Sequence, residues 1–291
     1  MTSIPASLPP AATLCDLACD IAVRAATKAK RMRNEGVEVA ANKTTPTDLV
    51  TKADRATEAF IRDELDRLRP DDGFFGEESG EKSSSTGLTW VVDPIDGTVN
   101  YTYDIPNWGT SIGVVYCEGP ADPETWTPYA GAVANPSLHE LWRASRGGGA
   151  ELLRYSMDAS SYTFTDRTLL HLTGDRTLST SLVATGFAYS AEVRLEQAAQ
   201  VAKLIDKVAD IRRLGAASLD LVGVAAGRVH AYYENGLHPW DHVAGALIAR
   251  EAGAIVMGPV GGRENFTLTF AAHPGLANEL RATLAEIGLP L

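Results

Sequence analysis

The segment Trp90-Val91-Val92-Asp93-Pro94-Ile95-Asp96-Gly97-Thr98 concentrates more potential chemistry than any other stretch of the chain. Three apolar residues lead into an acid, a proline forces an extended or turning backbone, and a second acid precedes glycine. Two carboxylates this close repel one another, and neither tolerates burial without a cation. Oxygen-rich clusters suit Mg²⁺, Mn²⁺ or Ca²⁺, whereas zinc prefers nitrogen and sulfur. Gly97 and Thr98 offer unhindered backbone N–H groups and a hydroxyl, which at the start of a helix or turn can cradle a phosphate. Taken alone, Asp-Pro and Asp-Gly are also ordinary turn dipeptides.

Further acids in matching contexts favour chemistry over a bare turn. Glu77-Glu78 follows Phe74-Phe75-Gly76 at another strand end, and Asp241 follows Trp240 at the head of an apolar helix. By itself Asp241 is a first-turn helix acid, and Asp54 is a solvated helix residue. Two phosphatase chemistries compete for the central segment. In the haloacid-dehalogenase type, Asp-x-Asp-Gly-Thr places acids two apart on one face of a strand, and the first attacks phosphorus covalently. Here Asp93 and Asp96 are three apart, so they converge only if the chain turns at Pro94-Ile95. Such a turn also frees the Ile95 carbonyl as a ligand and favours a metal cage over a nucleophilic aspartate.

Across roughly residues 12–290 the chain resembles the inositol monophosphatase family of lithium-sensitive, magnesium-dependent phosphatases, and within it the bacterial inositol-1-monophosphatases. Gly76-Glu77-Glu78-Ser79 matches its first acidic motif, residues 90–100 its Asp-Pro-Ile-Asp-Gly-Thr-x-Asn signature, and Trp240-Asp241-x-x-Ala244-Gly245 its C-terminal motif. The resemblance implies that Glu77, Asp93 and the Ile95 carbonyl hold one Mg²⁺, and that Asp93, Asp96 and Asp241 hold a second. A third, weaker site would involve Glu77 and Asp54. Substrate would meet Ile95, Asp96, Gly97, Thr98, Gly215, Ala216, Ala217, Glu234 and Asp241, and Lys43 occupies a position where the family often places a mobile lysine near the site. Glu77 and Thr98 would orient and deprotonate an attacking water, Asp96 would serve the leaving-group side, and Asp54 is a further catalytic candidate. A metal pair that activates water for in-line displacement needs no phosphoenzyme.

Glu234 suits a polyol, because a carboxylate accepts hydrogen bonds from adjacent hydroxyls. Val99-Asn100-Tyr101 is more similar to inositol monophosphatases than to relatives acting on histidinol phosphate or nucleotide 3′-phosphates, which often carry a basic residue at the position of Val99. The expected substrate is myo-inositol 1-phosphate. Alternatives are histidinol phosphate, fructose 1,6-bisphosphate, 3′-phosphoadenosine 5′-phosphate, or a non-catalytic regulatory role on the same fold. The family resemblance also implies a homodimer. The loop from Cys117 to Pro128 is longer than usual in the family and could alter the site rim or a subunit contact. His238 and His242 are four apart, but no third nitrogen or sulfur ligand supports zinc, so His238 is expected at the substrate mouth and His242 in packing or at solvent.

The elements that must position these residues are legible in outline. Apolar spacing predicts helices over residues 11–33 and 49–68. Strands are expected ending near Glu77 and Asp93, with a polar loop over residues 81–87, then at 111–117, 130–135 and 141–144. Residues 150–178 are hard to read. Strands at 181–185, 211–214, 230–233, 254–257 and 267–272 then alternate with helices at 191–207, 217–226, 241–252 and 275–287. Together these predict an α+β (mixed α/β) fold, a layered αβαβα sandwich. The expected organisation is one phosphatase domain, residues 1–291, with an N-terminal half (1–178) carrying most metal ligands and a C-terminal half (179–291) completing the site.

The 291 residues carry 26 Lys and Arg against 37 Asp and Glu, a net charge of −11. So acidic a chain is a poor general binder of nucleic acid or anionic membrane. Cys15, Cys19 and Cys117 form no disulfide framework and read as small buried hydrophobes. No basic patch followed by an apolar run marks a leader, and no apolar run reaches membrane-spanning length, so the cytoplasm is the expected compartment.

Overall fold

A computed structural model describes residues 4–5, 7–37, 39–42, 49–158 and 161–291. Lys43 lies outside them. The first helix, α1 (Ala11–Glu35), is followed by a short hairpin of β1 (Val39–Asn42) and β2 (Leu49–Thr51), then α2 (Lys52–Leu68). The expected helix start at 49 is corrected here. Leu49-Val50-Thr51 pairs with β1, as β-branched residues favour. Thr51 then caps α2: its Oγ1 accepts the N–H of Ala53 at 3.1 Å, while Asp54 Oδ2 accepts the N–H of Thr51 at 2.8 Å.

Next come β3 (Gly73–Gly76), β4 (Gly80–Lys82), β5 (Leu88–Asp96), the short helix α3 (Thr98–Thr102), β6 (Gly109–Tyr116), β7 (Thr127–Asn135), β8 (Glu140–Ser145), β9 (Gly149–Met157) and β10 (Tyr162–Leu170). They form one sheet in the order β10-β9-β8-β7-β6-β5-β3-β4, antiparallel except for the β3–β5 pair. Part of the polar loop expected at 81–87 is thus the edge strand β4. The opaque stretch after 150 is largely the β9–β10 hairpin. The interior of β10 faces solvent on both sides, so it carries no apolar alternation.

The remaining chain adds β11 (Leu182–Thr185), α4 (Ala191–Leu204), β12 (Asp210–Arg212), α5 (Ala217–Ala225), β13 (Ala231–Glu234), α6 (Pro239–Glu251), β14 (Ile255–Met257), β15 (Thr269–Ala272) and α7 (Pro274–Glu286). Their strands make a second mixed sheet, β12-β11-β13-β15-β14. Successive side chains of β5 part to opposite faces. Trp90 and Val92 pack with Leu14, Ile21 and Ala25 of α1, whereas Val91 packs with Val243 of α6. Across the middle layer, Leu221, Val222 and Ile248 of α5 and α6 join Val133 and Trp142 of the large sheet to Tyr232 and Ala271 of the small one. On the outer face of the small sheet, Val183, Tyr233 and Phe270 meet Leu204 of α4 and Leu276, Leu280 and Leu284 of α7. Helices, sheet, helices, sheet and helices are therefore stacked as the expected αβαβα sandwich. Cys15, Cys19 and Cys117 are buried free thiols.

The depth at which α6 sits decides where its first turn lies. A Cβ on Gly113 would stand 2.5 Å from Val243 Cγ1, and one on Gly131 would stand 3.0 Å from the Ala244 Cα. Bare glycine in β6 and β7 lets α6 lie against the sheet, bringing its N-terminal acid to the end of β5.

Candidate active site

The turn required at Pro94-Ile95 is a β-bulge. Pairing along β6 passes from Asp93 opposite Ser111 to Asp96 opposite Gly109, so β5 carries one extra residue. The Pro94 carbonyl accepts the Thr110 hydroxyl at 2.9 Å, and Asp93 Oδ1 accepts the Ile95 N–H at 3.0 Å. The bulge puts both acids on one side, where Asp93 is 2% exposed and feels the charge of Asp96.

Glu77 follows β3, and its N–H donates to the Val92 carbonyl at 3.2 Å, which sets it beside Asp93. The same turn is anchored from α2 by Glu58, whose Oε2 accepts the Glu78 N–H at 2.8 Å. Asp241, in the first turn of α6, accepts the His238 N–H at 2.7 Å. Burial pushes the carboxyls of Asp93 and Asp241 well above the usual range, and repulsion from Glu77 and Asp96 pushes them further. Neither Asp93, Asp96 nor Asp241 has a Lys or Arg ion-pair partner among the described residues.

The chemistry of this donor set fits a hard divalent cation. It consists of oxygens only, Asp93 and Asp96 are buried with Glu77 and Asp241 half-buried beside them, and its acids crowd together. As the side chains stand, no three His, Cys, Asp or Glu of the described residues close into a cage. The Thr98 hydroxyl has one proton, directed between the Ile95 carbonyl at 3.1 Å and Asp54 Oδ1, and the Ile95 carbonyl keeps a second lone pair.

Asp96 joins the two sheets' layers. Its carboxylate accepts the N–H groups of Ala217 at 3.2 Å and Ser218 at 2.7 Å, plus the Ser218 hydroxyl at 2.5 Å, and so caps α5. Burial raises its carboxyl, opposed by those donors. Gly97 follows with φ +88°, a left-handed conformation that glycine allows, and a Cβ there would press on Ala216 at 3.1 Å and the Gly215 carbonyl at 3.2 Å. The segments around Gly97 and Gly215-Ala216 therefore abut. Beside them, Thr98 donates to Asp54 Oδ1 at 3.2 Å. Asp54 is buried at 1% exposure, and burial above all pushes its carboxyl up to about 6.

Glu234 ends β13, with Oε2 accepting the Tyr232 hydroxyl at 2.6 Å. Its carboxylate fills the space where Gly186 lacks a side chain; a Cβ on Gly186 would lie 1.8 Å from Oε2. Burial raises Glu234 to about 7, with Tyr232 and Arg213 pulling the other way. Asp220 is buried next to it with Oδ1 unpartnered, and burial, then Glu234 and Asp96, push its carboxyl well above the usual range. His238 is exposed and stacks on Trp240 at 4.9 Å, while His242 is buried and its pKa is lowered by burial to about 4. Within the long 117–128 loop, Trp126 is buried edge-on against Phe75, which in turn packs on Trp240. Arg263 holds that loop through the Trp126 carbonyl.

Of the residues expected at the site, Asp54, Glu77, Asp93, Ile95, Asp96, Gly97, Thr98, Gly215, Ala216, Glu234 and Asp241 lie around one region; the Ala217 amide is committed to Asp96, and Lys43 lies outside the described residues. Supporting residues that sequence reasoning missed are Glu58, Gly186, Ser218, Asp220 and Tyr232. Only Tyr232 had a local signal, since residues two apart on a strand share a face.

The chain belongs to the inositol monophosphatase family, whose model matches residues 11–287. Membership implies a hydrolase of phosphate monoesters, and the family is generally metal-dependent. Among curated relatives, an inositol-1-monophosphatase of Mycobacterium bovis is 43% identical over 252 residues, covering 83% of this chain and 80% of the relative. A protein named Nus factor SuhB, of Escherichia coli, is 37% identical over 274 residues, covering 92% and 94%. The solved structure of Mycobacterium tuberculosis SuhB superposes with a TM-score of 0.77 at 39% identity, covering 98% of this chain and 100% of that one. No helix among the described residues is long and apolar enough to cross a membrane.

Proposed function

We propose that the chain hydrolyses a phosphorylated polyol, myo-inositol 1-phosphate to myo-inositol and phosphate, with Mg²⁺. The observation that supports this most is the meeting of Glu77, Asp93, Asp96 and Asp241 beside the Thr98–Asp54 pair. Glu77, Asp93 and the Ile95 carbonyl would hold one Mg²⁺, Asp93, Asp96 and Asp241 a second, and Glu77 with Asp54 a weaker third. Bound Mg²⁺ would neutralise phosphate charge and make water more acidic.

The chain's own groups then have separable tasks. Asp54 accepts the proton of Thr98 Oγ1, which frees that oxygen to receive a hydrogen bond from the attacking water. Glu77 orients the same water from the other side. The backbone N–H groups of Gly97 and Thr98 donate to phosphate oxygens, with Gly215 and Ala216 closing that side of the pocket. Asp96, rigidly held by α5, serves the leaving-group side. Glu234 accepts hydrogen bonds from polyol hydroxyls, in an orientation locked by Tyr232. We take the chain to act as one phosphatase unit, with the segments 1–178 and 179–291 each contributing acids, as a cytoplasmic homodimer.

A phosphate-release panel tests this reading. Inositol 1-phosphate should outpace histidinol phosphate, fructose 1,6-bisphosphate and 3′-phosphoadenosine 5′-phosphate. A different winner would reassign the substrate, and no turnover with Mg²⁺ present would favour a non-catalytic role.

A further inference from the structure

At the opposite end of α5 from the amides that hold Asp96 lies a second cavity, of about 350 Å³. It is bounded by residues 168–173, the last turn of α5 and the start of β13. Its lining includes His171, Arg176, His230 and His273 but no aspartate or glutamate, in a chain with 37 acids against 26 Lys and Arg. A pocket free of acids is therefore a local reversal of the molecule's charge.

The protonation of its walls follows from their hydrogen bonds. His230 Nδ1 accepts the Leu182 N–H at 2.9 Å, which places the ring proton on Nε2, a donor that has no partner among the described residues. Burial, then the nearby charge of Arg176, lowers the pKa of His230 and keeps that neutral tautomer. Arg176 is exposed and enters no ion pair among the described residues, so its guanidinium fork is available. His273 is already satisfied: Nδ1 accepts the Gly275 N–H at 3.1 Å and Nε2 donates to the Thr173 carbonyl at 3.2 Å. It buttresses the wall. These imidazoles do not form a metal site, because no three His, Cys, Asp or Glu among the described residues are grouped to hold one.

The helix end that borders the cavity is the negative pole of α5, and its opposition to an anion is reduced by capping. Gly227 turns the chain with φ +67°, and the N–H groups of Gly227 and Arg228 take the Val224 and Gly223 carbonyls. Two of the carbonyls at the negative end of α5 are thereby capped.

We propose that this cavity is a second anion site, separate from the catalytic acids, that takes a phosphate group through the Arg176 guanidinium and the His230 Nε2–H. A planar guanidinium matches two phosphate oxygens, and a fixed imidazole donor supplies the third contact. The volume suits either free phosphate or the head of a small phosphate ester.

The test is calorimetric titration of the metal-free protein, in chelator, with inorganic phosphate and separately with glycerol 3-phosphate. Without cations the catalytic acids repel anions, so binding heat reports the second site. One phosphate per chain should bind. Arg176→Gln and His230→Asn should each weaken binding at least about tenfold, the loss of one charge-assisted hydrogen bond. Asparagine at 230 keeps an acceptor for the Leu182 N–H, while its amide donor stops short of the position that Nε2 occupies, so the fold should be retained, and circular dichroism checks it. Equal binding of glycerol 3-phosphate identifies the ester head as a ligand, and phosphate binding alone identifies the free ion. No saturable binding, or binding indifferent to both substitutions, overturns the proposal.

Discussion

Gly186 and Glu234 share one space: a Cβ on the glycine would lie 1.8 Å from Glu234 Oε2 and 2.0 Å from its Cδ. They come from β11's end and β13, strands that pair in parallel, so the room for the carboxylate is built into the small sheet. Gly186→Ala should therefore displace the Glu234 carboxylate from Tyr232 and raise KM for inositol 1-phosphate roughly tenfold, the cost of one hydrogen bond to a charged group. An aryl phosphate, which lacks hydroxyls, should be affected far less. Steady-state kinetics on both substrates decide; equal effects would mean that Glu234 does not read the polyol.

Asp54 should set the acid side of the pH profile. Its carboxyl stands at about 6 in the cation-free fold, and it must be ionised to take the Thr98 proton. Bound cations can only lower that value, so the acid limb of kcat/KM should lie no higher than about 6. Asp54→Asn should cost about 10²-fold or more in kcat and abolish that limb. A variant with an unchanged profile would remove Asp54 from proton transfer.

The same groups should make the metal-free protein more stable in mild acid. Folding raises Asp54 from an ordinary 3.8 to about 6 and Glu234 from 4.5 to about 7. A raised carboxyl binds its proton more tightly in the folded state. Its stabilisation is complete below the unfolded value and is lost as pH climbs through the folded one. In chelator, the melting temperature should fall between pH 5 and about pH 8, by on the order of 1 kcal/mol or more in stability for each group. Thermal scans of wild type and Glu234→Gln measure it, and the substitution should flatten the slope. A slope of opposite sign would contradict the burial of these acids.

Ser218 makes two of the three hydrogen bonds to Asp96, and its hydroxyl approaches at 2.5 Å. Ser218→Ala removes the side-chain bond and leaves both amides. Mg²⁺ affinity should fall about tenfold, within the range for lost support of a ligand, with a smaller change in KM. Calorimetric Mg²⁺ titration reads this directly; unchanged affinity would mean the amides alone position Asp96.

How far this site could be read in the chain depends on where each residue's information lies. The condition for Asp93 and Asp96 to converge was readable, because acids three apart on a strand of period two meet only if the chain turns at Pro94-Ile95; that the turn is a bulge shows only in the pairing with β6. The helices α5, α6 and α7 were readable from apolar spacing. Gly186, Glu58 and Ser218 were not, because each acts only through a partner far along the chain: Glu234, Glu78 and Asp96. The start of α2 was misplaced because Leu49 and Val50 continue an apolar pattern, while the cap at Thr51 depends on Asp54's side chain turning back. The β9–β10 hairpin was opaque because β10's interior is solvated on both faces and periodicity reports only burial.

The central claim is that buried acids at the end of β5 carry the hydrolysis by holding cations, without a phosphoenzyme. It is tested most directly by phosphate release from myo-inositol 1-phosphate, measured side by side for wild type and Asp93→Asn, in chelator and at saturating Mg²⁺. Wild type should be inactive in chelator and recover fully with Mg²⁺. Asp93→Asn should stay folded and remain about 10²–10³-fold slower at every Mg²⁺ concentration, as expected for the loss of one preorganised charge. Full turnover by exhaustively chelated wild type, or near-normal turnover by Asp93→Asn, would contradict the account.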